Sequence, residues 1–164
     1  MVSDYLGAVI TRKHARPMKN ILAVVDLSPV SGTVVERAAE IARGTGSRLW
    51  IVHVAAPDPD FIGFDAGPQH VRDQRAHHLR QEHQELQGIR DAWRERGVDA
   101  EALLVQGTTV DTILEEVDRL QADLLAMASH GRGGLFKALM GSVSEAVLKR
   151  VKVPVLIVPH PERP

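Results

Sequence analysis

Short apolar runs alternate along the chain with longer segments in which apolar residues recur every three or four positions. A continuous apolar run of this kind is typical of a strand that is buried on both faces of a sheet. The sequence therefore predicts five strands, at Ile21 to Val25, Leu49 to Val54, Ala102 to Val105, Asp123 to Ala128 and Pro154 to Val158.

The segments between these strands predict helices. Apolar residues mark one face of Pro29 to Arg43. The segment from Gln69 to Arg96 is polar except for one stripe, so it predicts a long helix with a single buried face. Two further helices begin near Thr108 or Thr109, either of which can act as the cap, and near Gly141. The buried stripe of the long helix consists of Leu79, Leu86, Ile89 and Trp93.

Strands that alternate with helices pair in parallel and are joined by right-handed crossovers. The prediction is an α/β fold with a doubly wound five-stranded parallel sheet covered on both faces. A chain of 164 residues suits one such domain. We expect the domain to occupy residues 18–160, with residues 1–17 as an extension outside the core and residues 161–164 as a tail. Prolines, glycines and aspartates dominate residues 57–68, which predicts an irregular surface loop.

Composition and charge narrow the classes of function. The net charge is −1, so the chain as a whole has no electrostatic attraction to nucleic acid or anionic lipid, and we expect neither as a partner. It contains no cysteine, which excludes disulfides and suits a reducing compartment. The apolar segment Leu6 to Ile10 is too short to span a membrane, and basic residues follow it rather than precede it. We expect a cytoplasmic protein without a membrane span.

A glycine-rich stretch follows the fourth strand and leads into the last helix. It runs from Met127 to Gly134, and Gly141, Ser142 and Val143 follow at a fixed distance. Gly141 can bring backbone N–H groups close to a ligand, and Ser142 stands where the N-cap hydroxyl of a helix would stand. Such a site favours an anion such as phosphate. A flexible turn followed by a simple helix cap is the alternative, and local composition leaves both interpretations open.

The spacing resembles the nucleotide-binding motif of the universal stress protein family, which is glycine, two residues, glycine, nine residues, then glycine and serine or threonine. Gly131, Gly141 and Ser142 match this motif, and Ala128 occupies the place of its first glycine. The resemblance extends from about Lys19 to Pro159. It implies the strand order 3-2-1-4-5 of the adenine-nucleotide alpha hydrolase-like fold, in which the ends of strands one and four lie side by side.

The resemblance further implies a universal stress protein that binds ATP or a related adenine nucleotide, with or without Mg, and acts as a stress-response regulator or sensor. It implies base and ribose contacts at Val24, Val25, Asp26, Leu49, Met127 and Ala128, and phosphate contacts at Gly131, Gly141, Ser142 and Val143. We add Arg132 to the phosphate contacts because its guanidinium can pair with phosphate oxygens, although a solvated loop cation is an equal alternative. Asp26 also has a second interpretation, which is to cap the following helix together with Ser28.

The sequence indicates no catalytic residue and no metal ligand. It lacks the Walker phosphate loop, a Gly-x-Gly-x-x-Gly after the first strand and the Gly-x-Ser-x-Gly nucleophile motif. An enzyme is therefore not predicted, although slow ATP hydrolysis stays open. We interpret His53 as a hydrogen-bonded histidine near a strand end. The long helix carries four histidines without the i, i+4 spacing of zinc ligands, which indicates a solvated face: His70, His77, His78 and His83.

The fifth strand lies at an edge of the sheet in the implied order. Its apolar residues predict that strand 154–158 pairs with its counterpart in a homodimer. The alternative function is a nucleotide-free dimeric interaction protein of the same family. Ala128 favours this alternative, because a methyl group stands where the motif has none. A positive φ at Ala128 would impose strain, whereas a negative φ would cost little.

Overall fold

The computed structural model describes residues 17–57, 69–130 and 140–159. The strands are β1 (Asn20–Val25), β2 (Arg48–Ala55), β3 (Ala100–Gln106), β4 (Leu124–Ala128) and β5 (Val155–Val158). The helices are α1 (Pro29–Thr45), α2 (Gln69–Glu95), α3 (Thr109–Arg119) and α4 (Ser142–Leu148). The predicted loop after β2 lies almost entirely outside the described residues, as do the amino-terminal extension and the tail.

The five strands form one parallel sheet in the order β3-β2-β1-β4-β5. This order confirms the predicted fold class. Each predicted strand is present. The first three are one to three residues longer than their apolar runs, because backbone pairing continues through polar residues such as Asn20 and Arg48, and β4 and β5 each begin one residue later than predicted.

Alternate side chains of the strands build two apolar cores, one on each face of the sheet. Ile21 and Ala23 of β1 enter the core beneath α1 and α2, and Leu22 enters the core beneath α3 and α4. All three side chains are fully buried, as expected for the central strand of a doubly wound sheet. In the long helix α2 only Leu86 is fully buried, and the predicted stripe residue Trp93 packs half-buried against the same core.

Helix ends follow the predicted signals in most places. Pro29 stands in the first turn of α1, and Gly46 ends that helix with a left-handed φ of 67°. Gly97, with φ 79°, follows α2. Thr108 is the N-cap of α3, as one of the two predicted options, although its side chain makes no capping hydrogen bond.

The two faces of the sheet receive their helices from different strands. The helix after β1 packs on one face and the helix after β4 packs on the other. The chain therefore diverges where these neighbouring strands end, which opens a crevice at their carboxyl ends.

Candidate functional site

A cavity of about 680 Å³ occupies this crevice. It is lined by the ends of β1, β2 and β4, by the first residues of α4, and by side chains of α1, α2 and α3. Concave sites of this size at the switch point of a parallel sheet are typical ligand sites. Much of the wall is apolar, including Val24, Val54, Ile113 and Met127.

Asp26 follows β1 at one side of the cavity. Its Oδ1 accepts hydrogen bonds from the Ser28 backbone N–H and the Ser31 hydroxyl, both at 3.1 Å. Ser28 is the N-cap of α1 but makes no side-chain capping bond. Asp26 thus organises the start of α1 and also lines the cavity, so the structural role foreseen for it is present and a ligand contact is compatible with it.

His53 lies near the end of β2 and is buried. Its Nδ1 is 2.9 Å from the carbonyl oxygen of Val25 on the neighbouring strand. This contact confirms the interpretation of His53 as a hydrogen-bonded histidine near a strand end. Its Nε2 is 3.8 Å from Oε1 of Glu82 in α2, and both side chains line the cavity.

The opposite wall is held together by contacts between β4 and α4. The Ser144 hydroxyl donates to the carbonyl oxygens of Ala128 at 2.9 Å and Ser129 at 3.2 Å. The Gly141 N–H donates to the Ser129 carbonyl at 2.7 Å. A Cβ at Gly141 would lie 3.3 Å from that same carbonyl oxygen, so the glycine permits a close approach of two backbone segments.

The start of α4 corrects one prediction from the sequence. Gly141, not Ser142, is the N-cap, with φ −74° and ψ 157°, and Ser142 is the first helical residue. Lys149, at the carboxyl end of α4, donates a hydrogen bond to Glu145 in the first turn and lowers the pKa of the Glu145 carboxyl. This ion pair is exposed and joins the first turn of α4 to the end of the helix.

Ala128 is the last residue of β4 and pairs with Val158 of β5. Among the described residues other than glycine, only Leu27 and Gln121 have a positive φ. Ala128 therefore fits regular strand geometry, and its methyl group imposes no backbone strain where the motif has glycine.

The cavity brings together most of the residues that the sequence and its resemblance indicated. These are Val24, Val25, Asp26, Met127, Ala128, Gly141, Ser142 and Val143. Leu49 is not among them. It is fully buried near the amino end of β2, opposite Ile21, whereas the cavity lies at the carboxyl end. The predicted phosphate contacts Gly131 and Arg132 lie outside the described residues.

Several lining residues were missed. Val54 and Ala55 follow His53 at the end of β2, and strand position alone could have indicated them. Glu82 and Thr109 come from helices, and no motif marks either of them. Ser144 stands two residues after Ser142, and the sequence does not distinguish their roles. In the structure Ser144 is buried and bonds to Ala128, whereas Ser142 is exposed.

The described residues hold no cluster of three or more His, Asp or Glu side chains that could bind a metal ion. Ser129 Oγ lies 3.1 Å from His130 Nδ1, but Ser129 is not part of the cavity wall. Within the described parts of the chain, no helix is both long and apolar enough to cross a bilayer. The arrangement is that of a binding cleft with an apolar floor and polar groups at its rim.

Comparison with known proteins gives consistent matches. The profile of the universal stress protein family matches residues 17–159. Universal stress protein MJ0531 of Methanocaldococcus jannaschii is 30% identical over 161 residues, which cover 97% of this chain and 92% of that protein.

Solved structures show the same fold. The structure of hypothetical protein MJ0577 has a TM-score of 0.74 at 20% identity and covers 90% of this chain and 100% of that one. A universal stress protein in complex with cAMP has a TM-score of 0.65 at 26% identity and covers 87% of this chain and 98% of that one.

Proposed function

Because the chain belongs to the universal stress protein family, we propose that it binds ATP or a related adenine nucleotide in the cleft and acts as a stress-response regulator or sensor. The observation that carries the proposal is the cavity of about 680 Å³ at the carboxyl ends of β1, β2 and β4. The complex of a related universal stress protein with cAMP supports a nucleotide as the ligand.

In this proposal the base lies against the apolar wall of Val24, Val54 and Met127, where burial of a flat ring is favourable. The phosphates lie towards Gly141, Ser142 and Val143, with Gly131 and Arg132 as further contacts. Mg²⁺ would be held by the phosphate oxygens of the nucleotide, which are the hard oxygen ligands that this ion prefers.

The second candidate function is a nucleotide-free dimeric interaction protein. The observation that favours it is the methyl group of Ala128 on the cavity wall, at the position of a motif glycine. Native mass spectrometry of the protein as purified separates the two candidates. A retained mass of an adenine nucleotide supports the first, and a nucleotide-stripped protein that binds no adenine nucleotide in calorimetry supports the second.

Gly141→Val tests where the phosphates bind. Valine would place its Cβ 3.3 Å from the Ser129 carbonyl oxygen and add two methyl groups in the space between β4 and α4. We expect ATP affinity to fall by more than about tenfold, because the backbone donors are displaced from the phosphates. Calorimetry with ATP, ADP and AMP measures the effect.

Ser142→Ala and Gly88→Val are the comparisons for this test. Ser142→Ala removes one hydroxyl and leaves the backbone donors, so we expect a loss of about 1 kcal/mol in binding. Gly88 lies on α2 with open space around it and outside the cavity wall, so Gly88→Val should bind ATP like the wild type. Wild-type affinity in the Gly141→Val protein would place the phosphates elsewhere.

The proposal includes a homodimer in which β5 pairs with β5 of a second copy. Val155, Leu156 and Ile157 are only half-buried, and among the described strands β5 pairs with β4 alone. A partner strand would cover this apolar edge.

A further inference from the structure

Two hydrogen-bond acceptors lie side by side on the cleft wall, one near the end of β2 and one on α2. The Nδ1 of His53 is 2.9 Å from the Val25 carbonyl oxygen, and a carbonyl oxygen can only accept, so Nδ1 carries the proton. In a neutral imidazole the other ring nitrogen, Nε2, is then an acceptor. This Nε2 lies 3.8 Å from Oε1 of Glu82, which is also an acceptor when ionised.

When His53 is neutral and Glu82 is ionised, the two acceptors cannot satisfy each other. In the described residues, no group donates a hydrogen bond to Nε2 of His53 or to the Glu82 carboxylate. The His53 side chain is 10% exposed, that of Glu82 is 32% exposed, and both line the cleft, so water in the cleft can bond to the pair. A ligand that displaces this water loses affinity unless it brings a donor of its own.

We infer that His53 and Glu82 form an acceptor pair that selects a ligand by an amino group, which in an adenine nucleotide is the 6-amino group of the base. The inference rests on the proposed function and adds a specificity determinant to it. The 6-amino group offers two N–H donors. A base with a carbonyl oxygen at the same position, such as hypoxanthine or guanine, would bring a third acceptor to the pair and would be rejected.

Glu82→Gln is the sharpest variant for this inference. Glutamine keeps the size of the side chain and adds an N–H₂ donor that can bond a 6-carbonyl oxygen. Glu82 is partly exposed, so the change should leave the fold intact, and the melting temperature checks this. Glu85→Gln is the matched control, because it makes the same change of charge on the exposed side of α2, outside the cavity wall.

Binding of ATP and ITP, which differ only at C6 and N1 of the base, is measured by calorimetry at pH 8. The wild type should bind ATP at least about tenfold more tightly than ITP, because the wrong base leaves charged and buried acceptors unpaired. In Glu82→Gln the preference for ATP over ITP should fall to about threefold or less. In Glu85→Gln this preference should equal that of the wild type.

The outcomes are distinct. Equal affinity of the wild type for ATP and ITP would overturn the inference and leave the proposed function intact. The inference would also be overturned if Glu82→Gln changed the ratio of the affinities for ATP and 2′-deoxy-ATP but left the ratio of the affinities for ATP and ITP unchanged. In that case the pair would contact a ribose hydroxyl. Absence of binding by both nucleotides would remove the proposed function and this inference with it.

Discussion

Leu27 has a backbone conformation that leucine rarely adopts. Its φ is 58°, directly after Asp26 and before the start of α1. The left-handed region costs a residue with a Cβ about 1–2 kcal/mol. The side chain is nevertheless buried among the residues beneath α1 and α2, so its packing offsets the strain. The turn that orients Asp26 in the cleft is therefore held by a buried leucine in place of a glycine.

Replacing Leu27 by alanine and by glycine separates packing from strain. Both changes delete the buried side chain, but only glycine relieves the positive φ. We expect Leu27→Gly to be more stable than Leu27→Ala by about 0.5–1 kcal/mol in urea unfolding.

Leu114 in α3 supplies the comparison, because it is a half-buried leucine with helical backbone. There the order should reverse, with Leu114→Ala more stable than Leu114→Gly by about 1 kcal/mol. If alanine is the better replacement at both sites, the positive φ of Leu27 is not a source of strain.

Site residues were predictable where a motif or a strand end marks them. Asp26, Met127 and Gly141 belong to this class, because carboxyl ends of parallel strands meet at one edge. Glu82 was not predictable. It lies on a helix rich in polar residues, and only the packing of α2 against the sheet brings it to His53.

At the scale of elements, the joint between β3 and α3 depends on a close contact. The Gly107 N–H donates to the Ala55 carbonyl at the end of β2. A Cβ on Gly107 would lie 2.3 Å from Oγ1 of Thr112, a buried side chain of α3. The absence of a side chain at Gly107 therefore lets α3 turn back sharply over the sheet beside the cleft.

Gly107→Ala should destabilise the protein by about 1–3 kcal/mol, because the methyl group overpacks the joint. The cost should be smaller in a Thr112→Ala background, which removes the contacting oxygen, so the two changes should not be additive. Urea unfolding of both single variants and the double variant measures this coupling.

Gly88→Ala is the control, since nothing lies within 4 Å of its Cβ position and the residue is inside α2. We expect it to stabilise the protein by up to about 1 kcal/mol. If Gly107→Ala lowered the free energy of unfolding equally in the wild-type and Thr112→Ala backgrounds, the contact with Thr112 would not be the cause of the destabilisation.

Element type was predictable because apolar runs and three-to-four-residue stripes are distinct along this chain. The start of α4 was not, because Gly141 and Ser142 both suit an N-cap. Local sequence does not choose between them. The position of the N-cap follows from two contacts, of Gly141 with Ser129 and of Ser144 with Ala128. Both contacts tie the start of α4 to the end of β4, which lies well before it in the sequence.

At the scale of the whole molecule, β5 is the edge strand beside β4 in the sheet of described strands. Its half-buried residues Val155 and Ile157 face the side of α3 and α4. Pro154 and Pro159 flank the strand and limit the length over which a second strand can pair with it. A two-fold pair of β5 strands would turn two such sheets into one continuous sheet.

We expect light scattering to give twice the chain mass of 18.0 kDa at micromolar concentration. The melting temperature should rise with protein concentration, because dimerisation is linked to folding. A monomer mass under these conditions would contradict pairing through β5.

The central position of β1 fixes the order in which the sheet can be completed during synthesis. The N–H groups of Lys19 and Asn20 donate to the Asp123 carboxylate, across 104 and 103 residues of chain. At about 5–20 residues per second, a ribosome needs about 5–20 s to make that intervening chain. Once β2 has been made, β1 can pair with it, but β1 still exposes the edge that β4 will cover. Since the cleft also needs the end of β4, a nucleotide bound there would stabilise only the finished sheet and would give no protection to the nascent half.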